Sequence, residues 1–187
     1  MSIGFWTTLV NSQVDGTALT AAAAASAIPP AAKFTLPANY FDFIGKQLMV
    51  KATGRTSVVA TTPGTQRYDI RFGGTVVFDS QAIALVVTNA YTNIGWNLEI
   101  LLTCRAIGAT GNLFGQGTYT APNVLGGANV AMPIGGVVAM LPWNTAPAVG
   151  NNFDTTATQQ IDLFFTQTAA TGSMTVHQYA VYAQNFT

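Results

Sequence analysis

Trp96-Asn97-Leu98-Glu99-Ile100-Leu101-Leu102-Thr103-Cys104-Arg105 is the stretch that decides the fold. Trp96, Leu98, Ile100, Leu102 and Cys104 share one parity. Asn97, Glu99, Leu101, Thr103 and Arg105 share the other. Successive side chains of a strand point to opposite faces, so this run reads as a half-buried strand with a single polar side. Gln66–Phe72 repeats the pattern, with Tyr68, Ile70 and Phe72 opposed to Arg67, Asp69 and Arg71. So do Leu48, Val50 and Ala52 against Met49, Lys51 and Thr53, and Ile161, Leu163 and Phe165 against Asp162, Phe164 and Thr166.

Thr75–Phe78 and Ala82–Thr88 add β-branched runs, separated by the turn-forming Asp79-Ser80-Gln81. Near the C-terminus the phase slips, because Met174 and Val176 lie on one parity and Tyr179, Val181 and Ala183 on the other. One extra residue near His177-Gln178, a β-bulge, restores all five to one face; the alternative is a last strand buried on both faces. Pro63-Gly64, Gly73-Gly74, Gly108, Gly111, Gly126-Gly127, Gly150-Asn151 and Thr171-Gly172 punctuate the chain between these runs. Only Gly16–Ala27 has helical propensity, ended by Pro29-Pro30, and it reads equally as an extended arm.

Many short strands with glycine turns and little helix predict an all-β chain folded as a two-sheet β-sandwich. A jelly roll suits the length, although the pattern does not separate it from other Greek-key sandwiches. The expected organisation is an N-terminal arm over residues 1–30 and one β-sandwich domain over residues 31–187.

Composition removes several functional classes. Of 187 residues, 49% are hydrophobic and only 7% charged, and seven basic side chains balance seven acidic ones. No cluster of Lys and Arg provides a footprint for nucleic acid. The chain is too apolar and too weakly charged for disorder. Met1–Thr8 has no positive region followed by an apolar run, so a secretory signal is not expected. Val124–Leu141 is the most apolar candidate for a membrane span, but Gly126-Gly127, Asn129, Pro133 and Gly135-Gly136 interrupt it and no basic anchors flank it. It reads as strand and turn.

Reactive chemistry is sparse. Cys104 is the only cysteine and falls on the apolar parity of its strand, and His177 is the only histidine. A Cys104–His177 dyad would need the two side by side with a third group orienting the ring. Asp69 and Glu99 lie on polar parities and could neighbour each other as a carboxylate pair, but Arg67, Arg71 and Arg105 share those faces, which favours cross-strand ion pairing. No His or Cys cluster suits a metal, no calcium-loop motif is present, and neither Gly73-Gly74 nor Gly115-Gln116-Gly117 has the ending of a phosphate loop. No catalytic residue, cofactor or metal is expected, and the chain reads as non-enzymatic.

Ile44-Gly45-Lys46-Gln47-Leu48, the Gly54-Arg55 turn, Thr62-Pro63-Gly64-Thr65 and Phe72-Gly73-Gly74-Thr75-Val76-Val77-Phe78-Asp79 follow in order. Leu101-Leu102-Thr103-Cys104-Arg105 and Thr175-Val176-His177-Gln178-Tyr179 complete the series. From about Phe5 to Tyr182 it resembles a group of small structural proteins encoded by tailed bacteriophages. The resemblance implies a virion component, assembled in the host cytoplasm: a jelly-roll head decoration or minor capsid protein, or a knob on a fibre or tail. It also implies a homo-oligomer, by analogy a trimer, in contact with the major capsid protein or other virion proteins.

Parity names surfaces that could serve such assembly. Leu101 and Phe164 are large apolar residues facing away from the expected core, and Phe5, Trp6 and the uncharged Ala106–Phe153 region join them as candidate contacts. Thr7–Pro30 could wrap a neighbouring copy. The alternative function is a receptor- or carbohydrate-binding knob, in which aromatic rings stack on sugar. Trp96, Tyr91 and Tyr119 are available, but Trp143, between Pro142 and Asn144, is the expected stacking residue because Trp96 lies on the core parity.

Overall fold

A computed structural model describes residues 4–126 and 136–186. Gly127, Asn129, Pro133 and Gly135, expected to interrupt the apolar run, lie outside the described residues. The strands are β1 (Gly4–Asn11), β2 (Ala24–Ser26), β3 (Phe34–Leu36), β4 (Gln47–Val58), β5 (Thr65–Phe72) and β6 (Thr75–Asp79). They continue as β7 (Ile83–Ala84), β8 (Tyr91–Ala106), β9 (Asn112–Leu125), β10 (Gly136–Leu141), β11 (Gln159–Gln167) and β12 (Ser173–Phe186). One short 3-10 turn, Pro30–Ala32, follows Pro29. Among the described residues no helix is long and apolar enough to cross a membrane.

Two antiparallel sheets face each other. Sheet A runs β1-β12-β4-β8-β9-β10 and sheet B runs β2-β11-β5-β6, with β3 also on β11 and β7 on β5. The pairing is nested: β1 with β12, β2 and β3 with β11, β4 with β8, and β5 with β6. Pairing of β12 with β4 and of β11 with β5 then closes each sheet. This is a long hairpin rolled into two sheets, the jelly roll. The β9–β10 hairpin widens sheet A beyond that plan.

The core is built from the parity read in the sequence. Leu48, Val50 and Ala52 of β4, Leu98, Ile100 and Leu102 of β8 and Val181 and Ala183 of β12 are buried against Tyr68 and Ile70 of β5 and Leu163 and Phe165 of β11. Tyr68, at the centre, has the rings of Trp96, Tyr119 and Phe165 at 5.6, 5.1 and 5.5 Å. A small polar cluster enters this layer, Gln66 and Thr56 with the Tyr68 and Tyr119 hydroxyls. The Gln66 amide donates to Thr56 Oγ1 at 2.7 Å, and Tyr119 donates its hydroxyl to Gln66 Oε1 at 3.4 Å.

The bulge is present. The β12·β4 register shifts between Val176 and Gln178, so His177 is the extra residue, and Met174, Val176, Tyr179 and Val181 are all buried. Across from it, a Cβ at Gly54 would stand 1.9 Å from the Thr175 carbonyl oxygen. Only glycine lets the two backbones meet there.

One open reading is decided and one expectation changes. Gly16–Ala27 is not helical: Gly16 donates to Val176 O, Leu19 exchanges bonds with Met174, and Ala24–Ser26 pairs with β11. Ladder hydrogen bonds from two sheets outweigh an alanine propensity worth only a fraction of a kcal/mol per residue, roughly 0–0.7. The leading segment is thus extended and lies along its own sandwich, from β12 across to β11. Ala82–Thr88 is a strand only at Ile83–Ala84, because Ala84 pairs with Thr65 in sheet B while Leu85 bridges to Leu125 in sheet A. The run is spent crossing between sheets.

Candidate functional site

Each sheet has an outer face, and the two differ in kind. On sheet B, Asp69 and Asp79 are directly opposite each other, a repulsive arrangement unless bridged. Arg67 Nε bridges them, donating at 3.2 Å to Asp69 and 2.7 Å to Asp79. Arg71 donates to the other oxygen of Asp69 at 3.0 Å and lays its guanidinium 3.8 Å from the Phe164 ring centroid. Phe164 is therefore half-buried beneath an arginine of its own chain. Burial pushes the Asp69 carboxyl above its ordinary range, against the opposing pull of Arg71 and Arg67.

Asp69 and Glu99, considered above as possible neighbours, stand on opposite outer faces: Asp69 on sheet B, and Glu99 on sheet A, paired with Lys51 at 3.1 Å. Parity says that a residue points out but not from which sheet. Both acids are engaged in ion pairs.

Cys104 and His177 are likewise apart. Cys104 lies in the core near the Lys46 end of sheet A and donates to Ala106 O, and burial raises its thiol pKa. His177 lies at the bulge with Nδ1 2.9 Å from Asp15. Thr53, adjacent to the bulge, is in register with Asn97, so the two sites are separated by about seven residues of β8, roughly 23 Å at ~3.3 Å per residue. Among the described residues no three His, Cys, Asp or Glu side chains come together in a way that would hold a metal.

Sheet A presents long rows without net charge, the one charged pair being Lys51 with Glu99. One row runs Thr8, Tyr182, Met49, Leu101, Gln116, and the next Asn11, Ala180, Lys51, Glu99, Thr118, Met140. Leu101 is half-buried between Met49 and Gln116. Where the small Ala180 sits among larger neighbours, a groove of about 350 Å³ opens over β12, β4 and β8, lined by Asn11, Ser12, Lys51, Thr53, Asn97, Gln178 and Tyr182.

The edges of the two sheets are treated differently as well. The open side of β6 is covered by the loop after β10, through Asn151 N to Val76 O and Trp143 N to Ser80 O. Sheet A has β1 and β10 at its margins, and neither carries a charged residue. Phe5 and Trp6 are 47% and 42% exposed on β1, and Val137, Val138 and Met140 are 48%, 55% and 64% exposed on β10. Sequence reading reached Phe5 and Trp6. It covered the β10 trio only within the broad Ala106–Phe153 region, because Val137 and Val138 are adjacent apolar residues in a run without alternation.

Trp143 is half-buried and packs on the core, beside Val138 and Met140 in a shallow depression. Trp96 and Tyr119 are core residues.

No protein-family model matches the chain, and no curated protein sequence matches it. Among solved structures it is similar to the CBM2 module of the evolved Dit of Lactobacillus casei BL23 phage J-1, at 12% identity, covering 82% of this chain and 68% of that one, with a TM-score of 0.33. It is also similar to lectin I from Ulex europaeus, at 9% identity over 98% of both chains with a TM-score of 0.41. A third is the winged bean acidic lectin, at 7% identity, covering 99% of this chain and 100% of that one, with a TM-score of 0.35.

Proposed function

We propose that this protein is a non-enzymatic structural component of a phage particle, a jelly roll that assembles as a homo-oligomer, a trimer by the resemblance above, and seats on other virion proteins. The observation that carries the assembly reading is the pair of uncharged strands at the margins of sheet A. Edge strands of proteins that remain alone are guarded by charge, proline, short length or bulges, because unpaired N–H and C=O groups invite another strand. β1 and β10 each have a register shift at one end, between Thr8 and Val10 and between Gly136 and Val138. The remaining lengths are regular and neutral, and they expose Phe5, Trp6, Val138 and Met140. Covering such side chains is favourable by about 25 cal/mol per Å² of apolar surface removed from water. It incurs no charge desolvation, since these strands carry no charge.

The virion part of the reading rests on the sequence resemblance, and its test is location. Mass spectrometry and antibody labelling of purified particles produced by the encoding genome should find the chain in fixed stoichiometry at one site. Its absence from washed particles, with the chain free in the lysate, would overturn the reading. Labelling also separates a head position from a tail or fibre.

A further inference from the structure

The Ala180 groove has a composition that the assembly reading does not require. Its floor is a small side chain on an otherwise well-filled sheet face, and cross-strand register makes it: Ala180 stands between Asn11 and Lys51, with Gln178 and Tyr182 two residues to either side on the same face. Lys51 is neutralised by Glu99 at 3.1 Å, so the groove offers no net charge to an anion. Asn97 and Gln178 are exposed amides, and Thr53 donates its hydroxyl to Gln178 Oε1 at 3.4 Å, which leaves the Gln178 NH₂ directed elsewhere. Tyr182 forms an aromatic wall at one end.

We propose that this groove is a binding site for a neutral saccharide unit. Amides present a donor and an acceptor together, which matches vicinal hydroxyl groups, and a tyrosine beside them supplies an apolar face for the C–H side of a sugar ring. The volume, about 350 Å³, falls within the range of roughly 300–1,000 Å³ typical of small-molecule sites. A phosphate or carboxylate would find the only cation of the groove already paired. The groove is distinct from the Trp143 depression, which adjoins β10 and is lined by Val138, Met140 and Pro142. It opens over β12, β4 and β8 and meets the β1 margin only at Asn11 and Ser12, away from the exposed Phe5 and Trp6, so saccharide binding and edge assembly can fail independently.

The test uses the full chain and saturation-transfer NMR with the methyl glycosides of glucose, galactose, mannose, N-acetylglucosamine and rhamnose. At least one should receive saturation. Ala180→Leu, a change at an outward-facing position, should abolish transfer by filling the floor, while Tyr182→Ala and Asn97→Ala should each weaken the apparent affinity about tenfold. Unchanged thermal unfolding of Ala180→Leu shows that the sandwich is intact, and if that variant unfolds, Asn97→Ala, wholly on the surface, carries the test. No transfer to any glycoside overturns the proposal. So does transfer that survives Ala180→Leu, or that is lost only on Trp143→Ala.

Discussion

Arg71 covers Phe164: its guanidinium lies 3.8 Å from the ring centroid while one of its nitrogens donates at 3.0 Å to Asp69. The outward aromatic of sheet B is thereby engaged within its own chain. The exposed aromatics and aliphatics of sheet A, at β1 and β10, have no such cover among the described residues. The assembly proposed above accordingly uses the margins of sheet A.

Removing Arg71 uncovers the ring and takes one of two arginine partners from a buried carboxylate. Arg71→Ala should destabilise the fold by about 1–3 kcal/mol. A double-mutant cycle with Phe164→Ala should return a coupling of about 0.5–1 kcal/mol, read by chemical denaturation.

The acid range of stability contains opposed contributions. Burial raises Asp69 above its unfolded value, so the stability linked to it is full below the ordinary carboxylate range and is lost as pH rises through its folded value. Asp42 is held low by its hydrogen bond from Lys46, and its contribution has the opposite sign: present above the ordinary range and lost as pH falls. With so few carboxylates, the net dependence should be shallow. Asp69→Asn should make the rise of Tm with pH steeper between about pH 3 and 6, as thermal melts across that range would show.

The buried amide of Gln66 predicts non-additivity. Gln66→Leu leaves the Tyr119 and Tyr68 hydroxyls without their shared acceptor in the core and should cost about 1–3 kcal/mol. Adding Tyr119→Phe should cost less in that background than in the wild type, since one of the two orphaned hydroxyls is then gone.

Cys104 should be inert in the native protein. Its side chain is enclosed and burial opposes the thiolate that thiol reagents attack. An aromatic disulfide reagent should label nothing in buffer and one thiol per chain in denaturant. Rapid native labelling would contradict the packing described for this end of β8.

Gly54→Ala should be among the most damaging single changes, at least about 1–3 kcal/mol, because its Cβ would fall 1.9 Å from Thr175 O and 2.9 Å from the Trp96 ring. Gly73→Ala meets no atom within 4 Å, and its cost is limited to the positive φ of 57°. Equilibrium unfolding of the two variants separates steric from conformational cost.

Much of the fold was legible because parity is local. Leu98, Ile100 and Leu102 declared their face within one strand, and the phase slip at His177-Gln178 located a bulge that the register contains. Partnership was not legible. Nothing within Gln66–Phe72 or Trp96–Arg105 tells that Asp69 and Glu99 leave from different sheets, since that depends on the nested pairing of strands far apart in sequence. Gly16–Ala27 stayed open between helix and extended arm for a related reason, as its backbone is satisfied by β12 and β11 rather than by itself. The groove could not be read either: Asn11, Thr53, Asn97 and Gln178 come from four strands or their ends, and the small residue that opens it, Ala180, is unremarkable in a sequence rich in alanine.

The low proportion of charge, 7%, gains a location from the structure. The seven basic residues lie between Lys33 and Arg105, and six of the seven acids stand within 4 Å of one of them or of His177. What remains at the margins of sheet A is neutral and apolar. The measurement that tests this most directly is molar mass by light scattering after size exclusion, for the wild type and for Trp6→Lys and Met140→Lys. The account predicts a wild-type mass that is a multiple of 19.6 kDa and a shift toward the single chain in the charged-edge variants at unchanged unfolding temperature. A monodisperse wild-type monomer, or variants whose mass does not change, would contradict it.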